Sequence, residues 1–325
     1  MDTLYEGLHA FLQACYDPST GGFYETTPST GRPKLESSAR AIRLLERGDA
    51  LAAIPPEGRL RMANFFRDLQ DAETGSFEDP QEERAPHERR GRALGYSLQA
   101  LDRLGVEPYF PLPALESPGT EHLRSPAAFL TWLKELDWNR PWSAGSSVSA
   151  QRNLISRLPR QLRDSILSAT FTWLAAWQDP VTGFWGNDAP YRQLSGAFKV
   201  SMVYAAFDRA MPRADRLYAS VLRVLQEEDC EDSCFVRNSL HLLAAIRPDY
   251  RGIPEADRQL ITRTSARNIA RFRRPSGGFA RRLRRAEATT DGCSQAVHTR
   301  DALRELNHLP PGPYPLGERF AVPAS

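Results

Sequence analysis

The sequence has few cysteines and no long apolar run. Four cysteines in 325 residues are too few for the disulfide framework of a small secreted domain. No apolar stretch approaches the ~20 residues that a membrane-spanning helix needs. The first residues, MDTLYEGLHAFLQACYD, have no basic segment ahead of an apolar run, so they do not predict a signal peptide. We therefore expect a soluble, cytoplasmic protein.

The chain also lacks a marked excess of charge of either sign. Lys and Arg number 42 against 40 for Asp and Glu, which gives a formal net charge of +2. This balance offers no general reason to expect nucleic acid or a membrane as a partner. The GxSxG, Walker A, Rossmann GxGxxG and HExxH patterns are absent too. Serine hydrolases, P-loop enzymes and zincins are therefore disfavoured.

An internal repeat is the main positive feature of the sequence. Residues 65–77 (FFRDLQDAETGSF) and 173–185 (WLAAWQDPVTGFW) fit one template, and residues 11–23 (FLQACYDPSTGGF) fit it with Tyr16 in place of the glutamine. Tyr16 precedes Gln70 by 54 residues, and the second glutamine follows Gln70 by 108, which is twice that spacing. A fixed period of this kind indicates a repeat architecture.

Weaker copies extend the pattern along the chain. Residues 129–145 keep the helical spacing and the aromatics but lose the glutamine, whereas residues 270–282 end in another Gly-Gly-aromatic turn. Residues 213–246 contain two helical patterns without such a turn. In the clear copies an apolar helical stretch meets D-x-x-T-G, where glycine supplies the positive φ of a helix C-cap.

The repeat predicts an all-α protein of six helix pairs, because no segment shows the alternation of β-branched residues that strands favour. The predicted first helices are 3–16, 57–70, 125–137, 159–178, 213–227 and 255–273. The predicted second helices are 36–46, 89–104, 146–157, 192–210, 231–246 and 291–306. Residues 1–308 form the predicted single domain, and the Pro-rich residues 309–325 are expected to lie on its surface as an extended arm.

The template F/W-L-x3-Q-x4-G-x-F/W resembles the QW repeat of squalene and oxidosqualene cyclases, and similar helix pairs build protein prenyltransferase β-subunits. The resemblance implies an (α/α)6 toroid in which the glutamine and the aromatic are structural. It also implies that the starts of the second helices surround one mouth of a central cavity. Candidate residues at that mouth include Glu36, Ser37, Glu88, Arg89, Ser146, Tyr191, Arg192 and Gln193.

Residues 276–298 (SGGFARRLRRAEATTDGCSQAVH) are similar to a prenyltransferase segment in which basic residues hold a diphosphate and Asp-Gly-Cys binds zinc. The similarity implies Arg282 or Arg285 as the diphosphate ligand, and Asp291 with Cys293 as Zn²⁺ ligands. His298 is a further candidate ligand. On the alternative interpretation, Asp291 caps a helix while Cys293 and His298 are packed in the core.

The acidic stretch Glu228, Asp229 and Asp232 resembles the aspartate-rich motif with which class I terpene synthases hold Mg²⁺ and diphosphate. Carboxylate oxygens suit this hard cation. Cys230 and Cys234, one helical turn apart, offer thiolate ligands as an alternative. The ordinary explanation is that acidic residues gather at a helix N-terminus because the helix dipole favours them there.

Arginine is concentrated in one segment, with seven in the fifteen residues 271–285. Guanidinium groups at this density repel one another unless they face solvent or an anion such as a diphosphate or an acidic sugar. Arg192 is a further candidate for the diphosphate. Trp138 and Trp142 lie where the repeat is least regular, and their rings would wall an isoprenoid, stack on a sugar or fill the core.

The leading hypothesis is an enzyme that acts on an isoprenoid or isoprenoid diphosphate in the toroid cavity. Its candidate catalytic residues are Trp142, Tyr191, Asp229, Asp232 and Asp291, and aromatic rings would stabilise developing carbocations. A carbohydrate-active hydrolase or lyase of the same architecture is one alternative. A non-catalytic toroid that binds a protein partner is another.

Overall fold

The computed structural model describes residues 2–27, 31–81, 86–113, 120–310 and 320–321. Within these residues the regular structure is helical, and β pairing is confined to isolated bridges. The α-helices are α1 (Leu8–Cys15), α2 (Leu35–Arg47), α3 (Pro56–Arg67), α4 (Pro86–Leu104), α5 (Pro126–Glu135), α6 (Pro141–Ala150), α7 (Arg152–Ile155), α8 (Arg160–Trp177), α9 (Pro190–Ala206), α10 (Ala214–Glu227), α11 (Ser233–Ile246), α12 (Glu255–Ala270) and α13 (Thr290–Leu306). The predicted all-α class is confirmed.

Each predicted helix has a counterpart, but the second helix of the third pair was placed wrongly. It was predicted at 146–157, whereas the structure begins α6 at Pro141 and separates it from α7 at Gln151. Proline is well accommodated in the first turn of a helix, where its missing N–H would have had no intrahelical acceptor. The turn before α6 is therefore shorter than predicted.

The repeated turn has a common hydrogen-bond pattern. In two copies the aspartate that follows the glutamine, Asp71 or Asp179, accepts from the backbone N–H of the threonine three residues later, at 2.7 and 2.6 Å. The following glycine has positive φ, which is 68° at Gly75 and 74° at Gly183. These contacts explain why D-x-x-T-G ends each helix.

The template glutamines connect neighbouring units. Gln70 Nε2 donates to Gly75 O at 3.2 Å in its own turn and to Phe110 O at 2.9 Å beyond α4. Gln178 Nε2 donates in the same way to Gly183 O at 2.8 Å and to Pro212 O at 3.0 Å. Both amides are buried. Each one donates to carbonyl groups of two segments, which would otherwise be buried without a hydrogen-bond partner. The structural role expected for this residue is confirmed.

The second helices pack against one another in chain order. Contacts join α2 to α4, α4 to α6, α6 to α9, α9 to α11 and α11 to α13, and α13 contacts α2 again. These helices are enclosed, since 14 of the 17 residues of α13 are buried. The first helices are more exposed, and only 4 of the 18 residues of α8 are buried. Helices buried on all sides lie inside, and those with one buried stripe lie outside.

The contact between α6 and α9 depends on glycine. A Cβ on Gly196 would stand 2.6 Å from Pro141 O, and one on Gly145 would stand 2.8 Å from Gly196 O. Such distances do not occur between real Cβ atoms and a backbone carbonyl. Gly196 therefore permits the close packing of α6 against α9.

The two ends of the chain meet. Tyr5 Oη donates to Ala296 O at 3.0 Å, and Thr290 N donates to Glu25 O at 2.9 Å. Most of the predicted surface arm, residues 311–319 and 322–325, lies outside the described residues. Phe320 is buried against the rings of Tyr16 and Phe23, so this point of the arm is anchored in the core. None of the described helices is long and apolar enough to cross a bilayer.

Candidate anion-binding cavities

Two adjoining cavities open at the starts of the second helices. The outer cavity has a volume of about 570 Å³ and collects eight predicted site residues: Trp142, Tyr191, Arg192, Glu228, Asp229, Asp232, Arg282 and Arg285. The inner cavity, of about 350 Å³, receives side chains from α2, α4, α6, α9, α11 and α13. Its wall includes Arg40, Glu88, Arg92, Trp142, Ser146, Lys199, Arg237, Arg281, Asp291 and Gln295. Trp142 therefore borders both cavities.

An aromatic wall forms one side of the outer cavity. Tyr191 and Phe235 are stacked, with ring centroids 5.1 Å apart and planes 3° from parallel. The Trp142 ring lies 5.4 Å from that of Phe235. The Arg281 guanidinium stands 5.6 Å from the Trp142 ring centroid, within the range of a cation–π contact. Trp138, by contrast, is buried and donates to Leu133 O at 3.0 Å, so it belongs to the core.

Four of the seven arginines of the segment form two groups with different roles, whereas Arg271, Arg281 and Arg284 pair with carboxylates. Arg273 donates to Leu4 O at 2.7 Å and to Glu6 O at 2.6 Å, and Arg274 donates to Leu283 O at 2.8 Å. These two guanidinium groups bind backbone carbonyls and fix the chain. Arg282 and Arg285 face the outer cavity. No described residue forms an ion pair or a side-chain hydrogen bond with either guanidinium.

Three other charged groups of the outer cavity, Asp229, Arg192 and Asp232, are already engaged. Asp229 Oδ1 accepts from Arg271 Nη1 at 2.7 Å, and Asp188 Oδ1 lies 3.5 Å from Arg192 Nη1. Asp232 caps α11 by accepting from Cys234 N at 2.9 Å and also pairs with Arg281 Nε at 2.6 Å. Asp232 thus lies at the N-terminus of α11, the position at which the helix dipole favours an acidic residue.

Asp291 lies in the wall of the inner cavity, where several donors surround its carboxylate. Arg281 pairs with Oδ2, while Oδ1 accepts from Gln295 Nε2 at 2.6 Å and lies 3.4 Å from Arg40 Nε. Burial would raise the pKa of this carboxyl, but Arg281 and Arg40 outweigh burial and hold the pKa far below its ordinary value. Asp291 is therefore a fixed anion. It is not the helix cap, because Thr289 Oγ1 accepts from Gly292 N at 2.9 Å.

The residues predicted to bind a metal do not come together as a site. Cys293 is buried and accepts from Phe279 N at 3.3 Å, and burial raises the pKa of its thiol to about 12. The ring of His298 is buried 5.9 Å from that of His241. In the part of the chain that the structure describes, no three His, Cys, Asp or Glu side chains are grouped so that they could hold a metal ion. Glu228, Asp229 and Asp232 are included in that statement.

Three arginines of the inner wall, Arg40, Arg92 and Arg237, were not among the predicted site residues. They lie on second helices, yet nothing in the sequence marks them as cavity residues except their place on those helices. One available signal was the i, i+4 spacing of Glu36 and Arg40, which pair at 2.7 Å. Charge at a position that should face the interior indicates a polar cavity.

Comparison with known proteins adds a likeness of fold. No family model matches the chain, and no curated protein matches it. A solved structure described as "Crystal structure of a protein from Actinoplanes" superposes with a TM-score of 0.50 at 16% sequence identity. The match covers 94% of this chain and 99% of that chain. At this identity the likeness concerns the fold alone.

Proposed function

We propose that the six helix pairs form a closed (α/α)6 toroid, as in terpenoid cyclases and protein prenyltransferase β-subunits. The order of contacts supports this architecture, because the second helices pack in sequence and α13 returns to α2. The inner cavity supports it as well, since all six second helices contribute to its wall. Closure of this kind would place a ligand site at the centre of the molecule.

We further propose that the protein is an enzyme that acts on an isoprenoid diphosphate at the outer cavity. The observation that carries the proposal is the pairing of two surfaces in one cavity. Arg282 and Arg285 have no anionic partner among the described residues, and Trp142, Tyr191 and Phe235 line the same space. Guanidinium groups bind phosphate oxygens in bidentate fashion, while aromatic faces accommodate an apolar chain and a developing cation.

In this reaction the C–O bond to the diphosphate breaks and its electron pair leaves with the diphosphate oxygen. Arg282 and Arg285 would stabilise the charge that develops on the leaving group. The rings of Trp142 and Tyr191 would stabilise the allylic cation and exclude water. Mg²⁺ and Zn²⁺ stay predicted cofactors, and no step here depends on one, because the described side chains include no group of three potential ligands.

Binding of farnesyl diphosphate and geranylgeranyl diphosphate tests the proposal. Each should be titrated with and without Mg²⁺, with farnesol and inorganic pyrophosphate as partial ligands. The double variant Arg282→Gln, Arg285→Gln should weaken diphosphate binding by about tenfold or more, because two charge-assisted hydrogen-bonding groups are removed. The matched control is Arg263→Gln, an exposed arginine on α12. Equal affinity of the double variant and the control would overturn the proposed role of the two arginines.

An acidic carbohydrate is a second candidate ligand, and the polar wall of the inner cavity favours it. Arg40, Arg92, Arg237 and Lys199 line that space, and such a wall suits a carboxylated sugar better than an apolar chain. Trp142 at the junction would stack on a sugar ring. Release of reducing ends or of unsaturated products from uronic acid oligosaccharides would support this reading, whereas turnover of an isoprenoid diphosphate would exclude it.

A further inference from the structure

Most of the arginines around the inner cavity form ion pairs with carboxylates. Arg92 Nε and Nη2 each lie 2.7 Å from a different oxygen of Glu36, and Arg40 bridges Glu36 and Asp291. Arg281 joins Asp291 to Asp232. Three guanidinium groups therefore face three carboxylates in one continuous network. In such a network the hydrogen bonds between charged groups offset the free energy that is lost when those groups are removed from water.

Two cationic side chains of the same wall form no ion pair with a described carboxylate. Arg237 Nε donates to the neutral Gln295 Oε1 at 2.9 Å, and no ion pair with a described carboxylate accompanies this bond. Lys199 Nζ has neither a hydrogen bond nor an ion pair within the described residues. Both groups lie against the Phe198 ring, with Arg237 Cζ 4.7 Å and Lys199 Nζ 5.6 Å from its centroid. Arg237 is also among the charges that act on the Lys199 ammonium, and both side chains border the inner cavity.

The surroundings of Lys199 do not compensate its charge. Burial lowers the pKa of its ammonium well below the ordinary value, and Arg92, Arg237 and Arg152 lower it further, against a small opposing effect of Cys234. Glu88 also borders the cavity, and its carboxylate acts on Arg92. Even when Glu88 is included, the positively charged side chains outnumber the negatively charged ones by one among the described wall residues and their carboxylate partners. An ammonium group that burial and neighbouring guanidinium groups destabilise in this way gains from a bound anion, because the anion supplies the opposite charge that its surroundings lack.

We propose that Lys199 and Arg237 form an oxyanion-binding subsite in the inner cavity, which takes a phosphate or carboxylate group of the ligand. The subsite is separate from the diphosphate contacts proposed for Arg282 and Arg285. It therefore goes beyond the proposed function, and it can be tested independently of that function. Ser143 and Ser146 hydroxyls border the same space. A bound anion would supply the negative charge that the surroundings of Lys199 and Arg237 lack. It would thereby offset the repulsion between these two groups.

Lysine footprinting tests the subsite in the unmodified protein. The chain has three lysines, Lys34, Lys134 and Lys199, so acetylation at each can be followed separately by mass spectrometry. Inorganic phosphate or acetate should slow acetylation of Lys199 and leave Lys34 and Lys134 unchanged, at constant ionic strength with chloride. Protection by phosphate alone indicates a phosphate-bearing ligand, and protection by acetate alone a carboxylate. Absence of protection by both anions would overturn the proposal.

Variants provide a second readout. Lys199→Met should raise the Tm of the ligand-free protein, because it removes an uncompensated charge, and it should abolish the rise in Tm that the protecting anion produces. Lys199→Arg should keep that rise. Arg92→Met is the matched control, since it removes one of the two guanidinium partners of Glu36 and should lower Tm. An anion-induced rise as large in Lys199→Met as in wild type would contradict the subsite.

The same measurement separates this inference from the proposed function. The double variant Arg282→Gln, Arg285→Gln should bind farnesyl diphosphate more weakly yet retain protection of Lys199 by the small anion. Loss of that protection in the double variant would mean that the small anion binds in the outer cavity, which would overturn a separate inner subsite.

Discussion

The carboxylate of Asp291 connects the charges of the inner cavity, because it pairs with Arg281 and Arg40 and accepts from Gln295. Asp291→Ala would remove the carboxylate that the half-buried guanidinium groups of Arg40 and Arg281 share. We expect the free energy of unfolding at pH 7 to fall by about 3–5 kcal/mol. Urea denaturation measures the change. Asp215→Ala, which removes a largely exposed partner of Arg247, should cost less than about 1 kcal/mol.

The effect of Asp291 should also depend on pH in a definite direction. Its folded-state pKa is lowered, so the folded protein keeps the carboxylate where the unfolded chain binds a proton. The stabilisation is complete above the unfolded pKa of about 4 and is lost as pH falls below it. The difference between wild type and Asp291→Ala should therefore shrink in acid. A difference that is constant from pH 7 to pH 3 would contradict this account.

The facing rings of His241 and His298 predict a second loss of stability in mild acid. Neither Nε2 atom has a hydrogen-bond partner among the described residues. Burial, aided by Arg237 and Arg43, lowers the pKa of His241 to about 3, and burial also lowers that of His298. The unfolded chain binds protons below about pH 6.5 while the folded protein does not, so stability falls as pH decreases from about 7 to 4.5.

Substitution of the two histidines checks this direction. The double variant His241→Leu, His298→Leu should have a flatter dependence of unfolding free energy on pH in that window. His308→Asn, at an exposed site after α13, should leave the slope unchanged. Equal slopes in the double variant and wild type would show that other groups govern acid sensitivity.

At the scale of the elements, the template glutamines hold adjacent helix pairs together. Gln70→Ala and Gln178→Ala each remove buried hydrogen bonds to two backbone segments. Each variant should lower the free energy of unfolding by about 1–3 kcal/mol, because carbonyl groups are left without partners. Gln161→Ala, on the exposed face of α8, should change it by no more than about 0.5 kcal/mol. If the template variants behave like Gln161→Ala, the glutamines are not structural ties.

The helices were predictable because the turns that end them carry a clear chemical signal. In D-x-x-T-G the aspartate side chain accepts hydrogen bonds from the turn and the glycine has positive φ. The third pair was less predictable, since its turn uses Trp138 and Pro141 in place of the template. The outer cavity followed from its position at the starts of second helices. The inner network did not, because helical spacing alone cannot reveal that Arg92 and Arg237 border one cavity.

At the scale of the whole molecule, the return of α13 to α2 should make unfolding cooperative. An open array of repeats can lose its terminal units first, whereas here the chain ends are joined through Tyr5 and Ala296. We expect far-UV circular dichroism and tryptophan fluorescence to follow one urea transition with one midpoint. Tyr5→Phe should lower that midpoint without splitting the transition. Separate midpoints for the two probes would indicate independent units.

A structure of the protein with farnesyl diphosphate tests the central claim most directly. The account predicts the diphosphate within hydrogen-bond distance of Arg282 and Arg285, with the isoprenoid chain against Trp142 and Tyr191. A diphosphate bound elsewhere, with both guanidinium groups still facing solvent, would contradict it.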